Sequence, residues 1–530
     1  MAWLLEQGLT PDVIPNGAKV MSIRHSTLSI SVIDSINFLP MSLSKLPSCF
    51  GLTELKKGYF PHLFNRRENQ AYVGPFPESS FFCPDTMSSK AKSEFFVWYE
   101  QNKDKEFDFQ KEMLEYCRSD VDILRRSCSI FREEMIRISG VDPFCYITIA
   151  STCMAVYRSR HLQSGTIAMV PVNGYINCTN YSSDAIRWLD FVASDQDITI
   201  EHALNGSGEI KIGGVSVDGF CRQTNTIYQF HGCFYHGCPD CYEGDTIHPF
   251  KKCPMSTLLA KTKETSDKFR SSGYEVIELW EHRFKAMMKE NVELRIFADN
   301  HEIQERLNPR DSFFGGRTNA LKLFFEGEAK YVDFTSLYPW VNKYCRYPTG
   351  HPEIITSSFQ DISNYFGIIK CKVVPPRGLF LPVLPYRCNG KLMFPLCRTC
   401  VESMTQLRCN HEDEERSLIG TWVSEEVKLA VDKGYRVEKI YEVYHFNESS
   451  DKLFRSYIDL FLKIKQESSG WPRGCDTAEE REQYIKDYEE KEGILLDPDK
   501  IMMNPGLRQI SKLLLNSFWG RCVIARFFVL

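Results

Sequence analysis

The sequence predicts a multidomain protein of mixed α/β and α+β architecture. Three observations lead there. The chain has 530 residues, more than one hydrophobic core usually organises. Strand-like alternation in some stretches gives way to helix-like patterning in others. Apolar residues at 43% and charged residues at 25% are the proportions of an ordinary globular protein.

Residues 1–155 mix strands and helices. Leu28-Ser29-Ile30-Ser31-Val32-Ile33-Asp34 alternates like a half-buried strand, and Phe109 to Glu134 reads as one helix or two in succession. Residues 156–300 hold strands, a Cys/His-rich loop and a helix ending near Gly273. Residues 301–350 open on Pro309 to Arg317, where Gly315-Gly316 marks a tight turn or close approach to a ligand. A strand is expected to carry Asp333. Residues 351–500 form a long insertion whose stretch Glu479 to Asp499 is an exposed acidic helix and loop. Residues 501–530 begin a helix near Asn504-Pro505, where Asn can cap and Pro can open the first turn.

Net charge is −5, so no global basic field announces nucleic acid, although a local basic groove remains open. Twenty cysteines are spread along a long chain, which argues for reduced thiols, some binding metal, rather than a secreted disulfide scaffold. The first residues lack a basic segment followed by an apolar run, and no segment approaches 18 apolar residues. The expectation is therefore an intracellular protein without a membrane partner; a nuclear location is also expected.

Two motifs carry chemistry. Tyr331-Val332-Asp333-Phe334-Thr335-Ser336-Leu337-Tyr338-Pro339 pairs a carboxylate with a turn whose amides can meet phosphate oxygens. In Lys512-Leu513-Leu514-Leu515-Asn516-Ser517-Phe518-Trp519-Gly520, Lys512 and Asn516 share one helical face. In this order, with Phe314-Gly315-Gly316-Arg317 upstream, they resemble the first two palm and fingers motifs of family B DNA polymerases. The resemblance is strongest to the protein-primed branch and the Polinton (Maverick) transposon polymerases. It extends to Asp34-Ser35-Ile36-Asn37-Phe38-Leu39-Pro40-Met41, Phe50 to His62, and Gly390-Lys391-Leu392-Met393-Phe394-Pro395.

The resemblance implies DNA-directed DNA synthesis by two-metal phosphoryl transfer in replication of a mobile element. Asp333 would bind Mg²⁺ and Tyr338 would exclude a ribose hydroxyl. Lys512, Asn516 and Trp519 would hold the incoming nucleotide, with tryptophan standing where the family usually has tyrosine. Partners would be template and primer DNA, deoxynucleoside triphosphates and a terminal priming protein. An inserted subdomain would lie within 351–500. The third motif, with the second metal-binding aspartate, would fall beyond Leu530, so this chain is expected to be inactive alone.

Tyr116 and Asp120, four apart on a helix, resemble the last motif of the 3′–5′ proofreading exonuclease, an RNase H-like domain in which the aspartate binds Mg²⁺ and the tyrosine orients water. The preceding exonuclease motifs are not found, so 1–155 reads as a remnant without proofreading. Asp218 and Phe230 to Cys241, closed by Gly273 to Glu281, resemble the very-short-patch-repair endonucleases, of restriction-endonuclease-like fold. There Asp218 would bind Mg²⁺ and His231 would assist water, while Gln229 stands where related folds often carry a carboxylate. Cys233, Cys238, Cys241 and Cys253, with His236 as alternative, are candidate Zn²⁺ ligands. Cys397, Cys400, Cys409 and His411 form a second candidate zinc site, with Cys388 as alternative. Lys370, Lys372, Arg377, Lys391, Arg398, Lys463, Lys465 and Trp471 are candidates for tracking DNA. Competing readings are a non-catalytic DNA-binding relic and a metal-dependent nicking endonuclease centred on Asp218 and His231.

Overall fold

The computed structural model describes residues 2–52, 55, 57–171, 174–176, 181–318 and 320–518. The chain packs into two compact units that do not follow chain order. The first comprises Met1–Ser164, Gly327–Tyr347 and Asp451–Arg526; the second is built mainly from Gly165–Glu326 and Pro348–Ser450.

The first unit is organised by helices. Phe109–Ser139 is a single 31-residue helix, capped by the Asp108 side chain and stopped by Gly140 in the left-handed region at φ 69°. Ile123, Phe131 and Met135 lie on its buried face. They meet Phe38, Leu46, Phe50, Val156 and Tyr157 from the first 160 residues, and Tyr457, Phe461, Ile510, Leu514 and Phe518 from the last 75. Hydrogen bonds seal this core: Tyr457 Oη donates to Leu514 O at 3.1 Å, and Tyr157 Oη to Leu453 O at 3.0 Å. The strand expected near residues 28–34 forms as Ile30–Ile33, at the edge of a three-stranded antiparallel sheet. The acidic stretch forms the helix Ala478–Glu492, which buries no residue.

The second unit holds two larger sheets. One orders its strands Glu275–Trp280, Thr226–His231, Gly219–Cys221 and Glu201–His202. Its first two strands are parallel, Gln229 facing Glu278 and His231 facing Trp280. Parallel neighbours need a crossover, and helix Met255–Ser271 supplies it. The other sheet is antiparallel, with Gly367–Val374 lying between Leu418–Val423 and Arg436–His445. Alternate residues Ile369, Cys371 and Val373 face a core with Trp422, Val427 and Val443. Beneath it, Arg306 and Glu442 form a buried ion pair at 3.6 Å.

One expected element is corrected. Residues 331–334 form no strand; Tyr331 and Val332 stand 92% and 79% exposed. A strand is held by ladder hydrogen bonds to a neighbour, and no strand among the described residues pairs with this segment. Its Tyr331, Val332 and Phe334 carry a strand preference without a partner to satisfy it.

Candidate functional site

Helix Pro505–Ser517 carries the second motif. Asn504 Oδ1 accepts from Leu507 N at 3.0 Å and Pro505 opens the first turn, as the sequence predicts. Ile510, Leu513, Leu514 and Leu515 enter the core, which leaves Arg508, Lys512 and Asn516 exposed. Steps of four place these three on one stripe. Lys465, on the neighbouring helix Arg455–Glu467, faces the same cations. Burial first, then Arg508 and Lys512, hold its pKa below the usual lysine value. Arg508 Nε donates to Ser469 Oγ at 3.1 Å. Among the described residues none of the three cations forms an ion pair. A concentration of like charge without counter-charge is a site for an anion. Arg508 is not among the residues the sequence singles out, although it stands one turn before Lys512. Trp519 lies outside the described residues.

Asp333 is exposed on the extended segment, followed by a turn in which Ser336 adopts φ 56°. Tyr338 lies in the first turn of helix Leu337–Tyr344 and is 52% exposed. Lys343 anchors that helix. Its ammonium meets Asp459 Oδ1 at 2.9 Å, Glu492 O at 2.6 Å and Glu492 Oε2 at 3.1 Å. Among the described residues no group of three metal-capable side chains includes Asp333. A site for two magnesium ions needs several converging ligands, and the segment around Asp333 does not bring three together.

Tyr116 and Asp120 share the face of the long helix that the sequence predicts. Lys57 joins them, with Nζ 3.5 Å from Asp120 Oδ2 and 5.6 Å from the centre of the Tyr116 ring. His62 and Phe60 pack against the same ring. Burial raises the Tyr116 pKa, with Lys57 opposing. A lysine ammonium thus occupies one side of the carboxylate expected to hold metal.

In the second unit, Asp218 precedes strand Gly219–Cys221 and its Oδ2 accepts from Phe230 N at 2.7 Å. Burial raises its pKa, against the Phe230 hydrogen bond and His231. Glu209, absent from the sequence candidates, is raised by burial and by Asp218. His231 Nε2 bonds Glu278 Oε1 at 3.0 Å, while its Nδ1 is buried without a hydrogen-bond partner. Burial works to raise the Glu278 pKa, but Ser266, His231 and Arg270 hold it below the usual carboxylate range. His236 packs 4.9 Å from the His231 ring, and burial pulls its pKa down to about 4.

Two Cys/His clusters form. Cys233, Cys238 and Cys241 converge with His282, and Cys253 and His236 stand outside the group. His236 Nδ1 instead meets Thr262 Oγ1 at 3.1 Å. His282 Nδ1 lies 3.2 Å from Cys233 Sγ and 3.4 Å from Cys238 Sγ, and its Nε2 faces Asp240 Oδ2 at 3.2 Å. His282 follows strand Glu275–Trp280, so the parallel pairing of that strand delivers it. The second cluster contains Cys397, Cys400, Cys409 and His411, all four as predicted. Cys388 is instead directed at Val401 O.

Several lysines and arginines expected to track DNA are engaged internally. Lys370 donates to Glu305 O, Lys372 pairs with Glu414 and Glu438, Arg377 donates to His411 O, and Arg398 pairs with Glu302. Burial also lowers the Lys370 pKa, as expected for an ammonium held inside rather than at a groove.

The chain is similar to curated proteins described as probable DNA polymerases. One from Neurospora intermedia is 33% identical over 169 residues, covering 30% of this chain and 15% of that protein. One from Podospora anserina is 28% identical over 206 residues, covering 37% and 15%. The matches thus span about 15% of those relatives' length. A solved structure of Phi29 DNA polymerase complexed with primer-template DNA aligns at TM-score 0.22 and 17% identity, over 36% of this chain and 25% of that one. That overlap is too small to carry an argument. No described helix is long and apolar enough to cross a membrane. The family of type B DNA polymerases, organellar and viral, matches residues 4–181 and 277–472, more than half of the chain. The family expected from the two motifs is therefore borne out: this chain belongs to the type B DNA polymerases of organelles and viruses.

Proposed function

We propose that this chain supplies the nucleotide-binding face of a protein-primed, DNA-directed DNA polymerase that replicates a mobile element. The observation that carries the reading is the stripe Arg508, Lys512 and Asn516 with Lys465 beside it. Three cations without counter-ions match a triphosphate, and Asn516 offers both a donor and an acceptor at the end of the row. Tyr338 is the candidate to select the sugar, and Asp333 the candidate to meet magnesium. Template and primer DNA, deoxynucleoside triphosphates and a priming protein are the partners proposed. Because Asp333 belongs to no group of three metal-capable side chains among the described residues, this chain by itself is expected to bind nucleotide without incorporating it.

A titration with a fluorescent deoxyadenosine triphosphate analogue tests the reading. Lys512→Ala and Arg508→Ala should each weaken binding about tenfold, the effect of losing roughly 1.4 kcal/mol of charge-assisted contact. Affinity unchanged in both variants would sink the assignment. Sustained primer extension by this chain would overturn the expectation of binding alone.

One observation favours a second reading. The buried, unpartnered Nδ1 of His231, whose ring acts on Asp218, suits water activation in metal-dependent DNA nicking. Nicking that survives Asp333→Ala and disappears in Asp218→Ala would support it; its absence in the unmodified chain would dismiss it.

A further inference from the structure

We propose that Cys397, Cys400, Cys409 and His411 bind a Zn²⁺ ion that holds the segment Phe313 to Arg317 in place. The zinc site stands independently of the polymerase reading.

The distances fit the ion. Zinc bonded to sulfur at about 2.3 Å and to nitrogen at about 2.0 Å, at tetrahedral angles, sets sulfur and nitrogen roughly 3.5 Å apart. His411 Nδ1 lies 3.5 Å from Cys397 Sγ, 3.3 Å from Cys400 Sγ and 3.6 Å from Cys409 Sγ. One nitrogen cannot share a proton with three thiols at once, but it can be one corner of a tetrahedron with them. The four ligand atoms all lie within 4.8 Å of one another.

The loop's other side-chain ties sit at its first half: Thr399 Oγ1 donates to Glu415 O at 2.8 Å and Arg398 Nη1 meets Glu302 Oε2 at 3.2 Å. Between Phe394 and Glu412 the regular structure is one short helix, Arg398–Glu402. Val401 is buried, but the apolar residues beyond it, Met404 and Leu407, are 54% and 83% exposed, so hydrophobic burial does not hold the second half of the loop. The ligand side is built into the sheet nevertheless. Arg377 Nη2 donates to His411 O at 2.6 Å, and buried Arg416 donates from Nη2 to Pro375 O at 2.6 Å and pairs through Nη1 with Asp413 Oδ1 at 3.0 Å.

The connection to Phe313–Arg317 runs through the hairpin Tyr386–Cys388 and Lys391–Met393. Arg387 donates to Phe313 O and lies 4.4 Å from the centre of the Phe314 ring. Arg317 lies 4.6 Å from the centre of the Phe394 ring and donates to Pro382 O at 2.7 Å. Phe394 is three residues before the first ligand, Cys397. Cys388, next to Arg387, is tied to Val401 O on the helix that carries Cys400. Both ends of the segment Phe313 to Arg317 are therefore gripped by residues that adjoin the ligand loop. Losing the ion would free the loop, and with it both cation–π contacts.

Mass-spectrometric mapping of cysteine alkylation on the zinc-loaded chain tests the metal. Cys397, Cys400 and Cys409 should resist alkylation together and become reactive together when a chelator is added. Equal reactivity with and without chelator overturns the site. Trypsin cleavage after Arg317 tests the grip, since the side chain must leave Phe394 and Pro382 to enter the protease. Cleavage should rise several-fold in Cys400→Ser while Cys233 and Cys238 stay protected, which separates this site from the other cluster. Phe394→Ala should raise cleavage equally with the three thiols still protected. Unchanged cleavage in Cys400→Ser, with the first cluster intact, overturns the coupling.

Discussion

Replacing Lys343 by methionine should release helix Leu337–Tyr344, which carries Tyr338, from the rest of its unit. The lysine side chain is 2% exposed, whereas Asp459 and Glu492 are 30% and 35% exposed. Burial works to lower the lysine pKa, but Asp459 and Glu492 hold it above the ordinary value, so the ammonium is the favoured form in place. Methionine keeps most of the stem's packing and removes three contacts. These are two ion pairs and the donor to the last carbonyl of helix Ala478–Glu492. Breaking a buried pair costs about 3–5 kcal/mol, and the part-exposed Glu492 carboxylate, which can rehydrate, brings this to the low end, about 3 kcal/mol. That loss corresponds to roughly 100-fold faster amide exchange for segments whose opening depends on the contact. Hydrogen–deuterium exchange read on peptides from 337–344 and 455–467 measures it directly. Glu492→Gln, which leaves the Glu492 carbonyl and Asp459 in place, should produce a smaller change in the same peptides. Exchange in Lys343→Met within about threefold of the unmodified chain would refute the reasoning, because the ammonium would then contribute no more than a surface pair.

Two further perturbations follow. Asp190 accepts from His202 Nε2 at 3.0 Å and His301 Nε2 at 2.7 Å. Burial works to raise its pKa, and the two histidines hold it below the usual value. A depressed carboxylate contributes stability that is fully present above its unfolded pKa, about 3.9, and lost as pH falls through the lower folded value. Urea midpoints compared at pH 7 and at about pH 3 should therefore converge between the unmodified chain and Asp190→Asn; a constant gap would contradict the clasp. At Gly506 an added Cβ would sit 3.1 Å from Cys49 O and 3.2 Å from Phe50 Cδ1. Alanine's helix preference of about 1 kcal/mol is opposed by a crowding cost of roughly 1–3 kcal/mol. Gly506→Ala is expected to lower the denaturation midpoint, and a raised midpoint would show that the Cys49 backbone yields.

The parts of this protein legible in its sequence are those written locally. Helix Pro505–Ser517 carries its own cap, its own first-turn proline and a 3.6-residue apolar period, so nothing distant was needed to place Lys512 and Asn516 together. The Cys397 to His411 cluster is equally local, its ligands falling within one loop. The expected strand at Asp333 failed because a strand depends on a neighbour, which the segment's own residues do not specify. His282 was missed because its ligand partners lie far back in the chain and only strand pairing brings them together. Lys343 was missed for a different reason. A lysine reads as surface, and Lys343 is buried because Asp459 and Glu492, more than 110 positions on, close around its ammonium.

The shared core of the first unit has a consequence for how the protein is made. Cys153 and Leu514 touch across 361 positions of sequence, and Cys49 and Pro505 across 456. A ribosome releases the chain from its N-terminus at a few to a few tens of residues per second. Phe38, Phe131 and Val156 therefore emerge well before Tyr457, Leu514 and Phe518, the side chains that cover them. The second unit, whose main segments end at Ser450, has its parts available first. During that interval the early aromatic surface stays open, and a chaperone that shields it should raise the yield of folded protein more than one acting after release.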